Sequence, residues 1–173
     1  MTNADMVAAI IASTREVFSM MLGMDVEPGE PFVGESAGTE SGVLALVGLA
    51  GAWVGTGSLS CSSALACHIA SQMLMSPCPG INDEVLDAVA EIANMIIGNV
   101  KTQLEATVGA MALSTPTVVY GHNFETRRVG SREWVSVPFP CPEEIVNVQV
   151  CLAEAQNSVT LRPGFALPHA VQI

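Results

Sequence analysis

Residues 42–60 read GVLALVGLAGAWVGTGSLS. They are apolar enough to be taken for a membrane span, and residues 41–82 contain no Asp, Glu, Lys or Arg. Two features turn the reading toward a sheet. Gly48, Gly51, Gly55 and Gly57 interrupt the run, and it closes on Thr-Gly-Ser-Leu-Ser, which suits a helix poorly. No Lys or Arg flanks the run to set an orientation in a bilayer. Two short strands, 42–49 and 53–60, joined by a turn at Ala50-Gly51-Ala52, account for the pattern.

Helices are expected on both sides of this hairpin. Upstream, residues 3–22 carry an apolar face of Val7, Ile10, Ile11, Phe18, Met21 and Leu22, and Gly23 supplies a stop. Residues 24–40 are rich in Pro, Gly and Glu and read as a loop or a poor edge strand. Downstream, Ser62 or Ser63 caps a helix over ALACHIASQMLM, ended by SPCPG at 76–80. Asn82 caps a long helix, roughly 83–107, with Asp83 and Glu84 in its first turn. Strands follow near 111–120, 133–139 and 144–153. The order predicts a mixed α+β fold, an antiparallel-rich sheet with long helices packed on one face. One domain spans residues 1–154, and residues 155–173 form an extension that gives no clear structural signal.

The chain has 173 residues, half of them apolar, enough for one sizeable core. Seventeen acids against six bases leave a net charge of −11, which argues against nucleic acid or an anionic membrane as partner. The five cysteines are odd in number, form no CxxC, and follow a start, MTNADMVAAI, that lacks a basic signal-peptide region. Free thiols in a reducing cytoplasm are expected. Cys61, Cys67, His68 and Cys78 match no zinc spacing, so no metal is expected there.

The long helix carries the chemistry. At 100° per residue, Glu84, Asp87, Glu91, Asn94, Gly98, Lys101 and Glu105 fall on one stripe about 100° wide. Val85, Leu86, Val89, Ile92, Ala93, Ile96, Ile97, Val100 and Leu104 fall on the opposite side. Such a stripe is most often just the solvated face of a packed helix. Two details weigh against that reading alone. Asp87 and Glu91 are like charges at i,i+4, which mildly destabilises a helix. Gly98 costs about 1 kcal/mol relative to Ala, yet leaves a bare notch beside Asn94 where another surface can come close.

A carboxamide is a poor base, but it can hold a water by donating one hydrogen bond and accepting another. Phosphoryl transfer to water asks chiefly for positioning, because its transition state is loose; small GTPases use a glutamine for that task. A neighbouring carboxylate can grip a Lys or Arg of a phosphorylated partner. An exposed convex helix suits insertion into a partner's active site.

The spacing Asp87-x3-Glu91-x2-Asn94-x21-Pro116 resembles the signature of the CheC/CheX/FliY family of chemotaxis phosphatases, which dephosphorylate the response regulator CheY. EIANMIIGNVKTQLEATVGAMALSTPTVVYG, residues 91–121, is similar to the family's ELxNMxxGxxKTxL…TPPTVV segment. FSMMLGM at the end of the first helix and the Gly-rich hairpin resemble the CheX branch, and the likeness runs over about residues 5–152.

The resemblance implies that Asn94 orients the water attacking a receiver's aspartyl phosphate and that Glu91 pairs with the receiver's active-site lysine, both being catalytic. Asp87, Gly98, Lys101 and Pro116 are implied as binding positions, Pro116 shaping the loop beside the helix. No cofactor of its own is implied; magnesium belongs to the receiver. The first helix, MVAAIIASTREVFSMMLG, lacks the second motif copy of the CheC type, so one site per chain is implied. CheX relatives form homodimers through their sheets, and the same is expected here. Arg127, Arg128 and Arg132 in GHNFETRRVGSR can contact an acidic partner or simply be solvated. His122 and His169 receive no role, and Thr107, Ser114 and Thr117 are expected to be structural. Two other functions compete with hydrolysis: a non-catalytic module of the same fold that docks a receiver, and an unrelated enzyme or sensor using the apolar 41–75 region as a ligand pocket.

Overall fold

The apolar run folds as a hairpin. In the computed structural model, which describes residues 1–34, 39–125, 133–142 and 144–155, β2 (Thr39–Gly51) and β3 (Trp53–Cys61) pair antiparallel from Val43↔Cys61 to Ala50↔Val54. They form the middle of a seven-stranded sheet. Its order is β1 (Phe32–Gly34), β6 (Trp134–Cys141), β7 (Glu144–Glu154), β3, β2, and then β4 (Met111–Leu113) and β5 (Thr117–Glu125), which share the outer edge of β2. All pairings among the described residues are antiparallel. No helix among the described residues is long and apolar enough to cross a membrane.

Among the described residues three helices cover one face: α1 (Asn3–Val17, continued by a π-helical turn over Phe18–Leu22), α2 (Ser63–Leu74) and α3 (Asp83–Val108). Their ends are where the capping residues place them. The Thr2 hydroxyl accepts from Asp5 N at 3.2 Å, and the Asp5 carboxylate, held below its usual pKa chiefly by the bond from Thr2 N, accepts at 2.7 Å. Gly23, in left-handed backbone at φ 61°, ends the first helical run. Ser62 caps α2 through Leu65 N, and Asn82 caps α3 through Val85 N.

Strand alternation sorts the sheet into rows. Ala45, Leu59, Val148 and Val137 lie side by side across four strands, and all are buried beneath the helices. In the next row Gly57 stands between Val47 and Val150, and α3 uses the gap: a Cβ on Gly57 would lie 2.4 Å from Ile97 Cδ1. The glycine of β3 thus seats the fully buried Ile97. Val85, Val89, Ile92, Ile96, Ile97, Val100, Leu104 and Val108 of α3 are buried. At about 1.5–3 kcal/mol each they outweigh the roughly 1 kcal/mol lost at Gly98. Burial against the sheet therefore fixes the rotation of α3, and with it the direction of the polar stripe.

Strand-like sequence at 111–120 forms two strands instead of the expected one. Leu113 pairs with Leu49 and Thr117 with Leu46, so three residues, 114–116, oppose two on β2. Pro116 has no N–H for the ladder, and Ser114 fills the break. Its N–H donates to Gly48 O at 2.9 Å, and its hydroxyl accepts from Gly48 N at 2.8 Å. The structural role expected of Ser114 is this one. Residues 24–40 contain the short edge strand β1, and β2 begins three residues earlier than expected. Arg127, Arg128, Arg132 and His169 lie outside the described residues, as does the extension from 156 onward.

Candidate functional site

The polar stripe of α3 is on the outer side of the helix. Asp87 and Glu91 are exposed, one turn apart; Asn94, Gly98 and Lys101 continue the line half-buried. Glu91 and Asn94 stand at i,i+3 and share a face.

What separates these side chains from their neighbours is commitment. Asn82 caps the helix. The Asn99 amide donates to Glu16 of α1 at 3.4 Å, and the Gln103 amide to Ser13 at 3.0 Å, tying α3 to α1. Glu105 accepts from Met111 N at 2.9 Å and pairs with Lys101 at 2.9 Å. The bond from Met111 N, and then Lys101, hold the Glu105 carboxyl below its usual pKa. Asp87, Glu91 and Asn94 have no side-chain hydrogen bond or ion pair to any described residue. A carboxylate and a carboxamide with free valences, on a helix locked at both ends, are ready to take an external partner.

Lys101 is therefore less open than the stripe suggested, because Glu105 holds its ammonium. Pro116 is half-buried at the break between β4 and β5. Its neighbour Leu113 reaches the stripe: among the described residues, a Cβ built on Gly98 would meet only Leu113 Cδ1, at 3.5 Å. That is ordinary contact, so nothing among the described residues requires glycine at 98. Sequence reading missed both this wall and the Glu105–Met111 clamp. The clamp spans six residues across a chain reversal, and the only signal for it was Glu105 itself, four residues before Gly109.

No group of three or more His, Cys, Asp or Glu side chains able to hold a metal occurs among the described residues. A cleft of about 330 Å³ lies elsewhere, lined by Met24, Ala64, Leu65, His68, Cys141, Pro142 and Glu144. It shares no residue with the stripe.

The chain has known relatives. A family model described as chemotaxis phosphatase CheX matches residues 43–140, more than half of the chain and including Asp87, Glu91, Asn94 and Pro116. The chain belongs to the CheX family. The CheY-P phosphatase CheX of Thermotoga maritima is 27% identical over 129 residues, 74% of this chain and 83% of that protein. The crystal structure of the chemotaxis protein CheX from Vibrio vulnificus superposes with a TM-score of 0.75 at 28% identity, covering 86% of this chain and 99% of that one. The CheX of a CheX-CheY-BeF3-Mg²⁺ complex from Borrelia burgdorferi gives 0.72 at 28% identity, covering 86% and 97%. The expected α+β architecture, with helices on one face of an antiparallel sheet, is the CheX architecture.

Proposed function

We propose that this chain is a phosphatase that hydrolyses the aspartyl phosphate of a CheY-like receiver, with Asn94 and Glu91 as its catalytic side chains. The observation that carries the reading is the pair of uncommitted side chains on the anchored α3, at a spacing that resembles the signature of the CheX family. Inserted into the receiver's phosphorylation site, the Asn94 carboxamide accepts one hydrogen bond from a water and donates another to it. This aims the water's lone pair at phosphorus, in line with the aspartate oxygen that leaves. Glu91 accepts from the receiver's lysine and fixes the register of the two proteins. Asp87 extends the acidic contact, Gly98 lets the partner's backbone come close, and Pro116 with Leu113 forms the rim. Lys101 acts mainly through Glu105.

Magnesium enters with the receiver, where it neutralises the phosphoryl oxygens; the magnesium-containing complex of the Borrelia relative supports this. A homodimer is the finer reading of assembly. It rests on the resemblance to CheX relatives, which pair through their sheets. Light scattering of the purified chain tests it.

The decisive assay follows phosphate loss from a phosphorylated CheY-like receiver with and without the protein, alongside Asn94→Ala. Catalytic acceleration, lost in Asn94→Ala while receiver binding remains, is the expected result. Binding without acceleration by the wild type makes the stripe a docking surface and removes the enzyme claim.

A further inference from the structure

Two cysteines that play no part in the proposed reaction are brought together by the fold. Cys67 lies in the middle of α2, and Cys78 in the loop leading to Asn82 and α3. Met75, in left-handed backbone at φ 51°, ends α2 and turns the chain back along the helix. Ser71 then bridges the two positions: its hydroxyl donates to Cys67 O at 2.8 Å and accepts from Cys78 N at 3.0 Å. Cys67 and Cys78 are each half-buried against the core rim. Cys61 and Cys151 are buried, and Cys141 sits at the β6–β7 end of the molecule.

We propose that Cys67 and Cys78 form an oxidisable dithiol that a hydroperoxide converts to an intramolecular disulfide. Burial and the neighbouring Cys78 push the Cys67 thiol up, so Cys67 is the poorer first nucleophile. The Cys78 thiolate attacks the peroxide: an S–O bond forms, the O–O bond breaks, and the departing oxygen takes a proton to leave as water or alcohol. The Cys67 sulfur then attacks the sulfenic sulfur. An S–S bond forms, the S–O bond breaks, and water leaves. Two electrons pass from the two sulfurs to the peroxide. The linkage pins the Met75–Pro79 turn to α2.

The test uses the full reduced chain, treated with hydrogen peroxide, then alkylated and cleaved after Leu74 with chymotrypsin. The cut separates Cys67 from Cys78, so their peptides stay joined only through the disulfide. The expected product is a monomer lighter by two hydrogens, with these two peptides linked and Cys141 alkylated. Cys67→Ser is expected to trap a dimedone adduct on Cys78 and to melt with the wild type. In urea, the same oxidation scatters linkages among the five cysteines. A folded chain that links other pairs, forms only intermolecular disulfides, or leaves Cys78 as sulfenic acid with Cys67 intact overturns the proposal.

Discussion

Gly98→Ala is expected to move stability and activity in opposite directions. The helix interior around it is intact, so the added methyl removes the conformational cost of glycine, about 0.5–1 kcal/mol. Among the described residues the new Cβ meets only Leu113 Cδ1 at 3.5 Å, ordinary contact that needs no rearrangement. The folded chain therefore gains up to about 1 kcal/mol, or roughly 2–4 °C in melting temperature for a domain of this size. In the proposed complex with the receiver, the methyl fills the notch beside Asn94. Overpacking of a close contact costs about 1–3 kcal/mol, which is roughly a 5-fold to 150-fold rise in KM for the phosphorylated receiver. Thermal unfolding and steady-state dephosphorylation on the same preparation read both terms. A melting temperature that falls contradicts the packing around Leu113. A melting temperature that rises with unchanged KM removes Gly98 from the contact surface.

Gly57→Ala should behave in the reverse sense, losing stability by about 1–3 kcal/mol because its Cβ runs into Ile97; denaturant titration measures this, and a neutral result means α3 does not seat on β3 as described. Asn82→Ala removes the hydrogen bond to Val85 N and should cost about 0.5–2 kcal/mol in chemical unfolding, with kcat unchanged because the cap lies three turns from Asn94. The folded-state pKa of Glu105 is depressed, so its contribution to stability is present above the usual glutamate pKa and is lost as pH falls through the lowered value. Glu105→Gln, which keeps an acceptor for Met111 N but no charge for Lys101, should flatten the acid side of the melting-temperature profile; an unchanged slope below the carboxylate range counts against the clamp.

The hairpin, the helix caps and the stripe were legible because each is local. Glycines at 51, 55 and 57, Ser62 before an apolar run, and Asn82 before two acids act within a few residues of where they stand. The rotation of α3 was also legible, since 3.6-residue periodicity places eight large apolar side chains opposite Glu91 and Asn94. The break between β4 and β5 was hidden: Pro116 hints at it, but the exchange of ladder bonds for the Ser114 hydroxyl depends on Gly48, far away in sequence. The same holds for Leu113 against Gly98, and for the contrast between committed and uncommitted polar residues on α3. Nothing in the composition of Asn94 distinguishes it from Asn99 until α1 supplies Glu16 to one and nothing to the other.

The stripe on α3 is convex, carried on the outer side of its helix, and this shapes the kinetics of the proposed enzyme. A surface that cannot shed bulk water has no dry interior in which to strengthen its own hydrogen bonds; only docking supplies one. In the proposed reaction, half of the catalytic centre is carried by the substrate protein. The free chain should leave small acyl phosphates alone, and its output should track the frequency of productive encounters between two folded proteins. Retargeting to another receiver then asks for changes along the rim of the helix, with Glu91 and Asn94 left as they are.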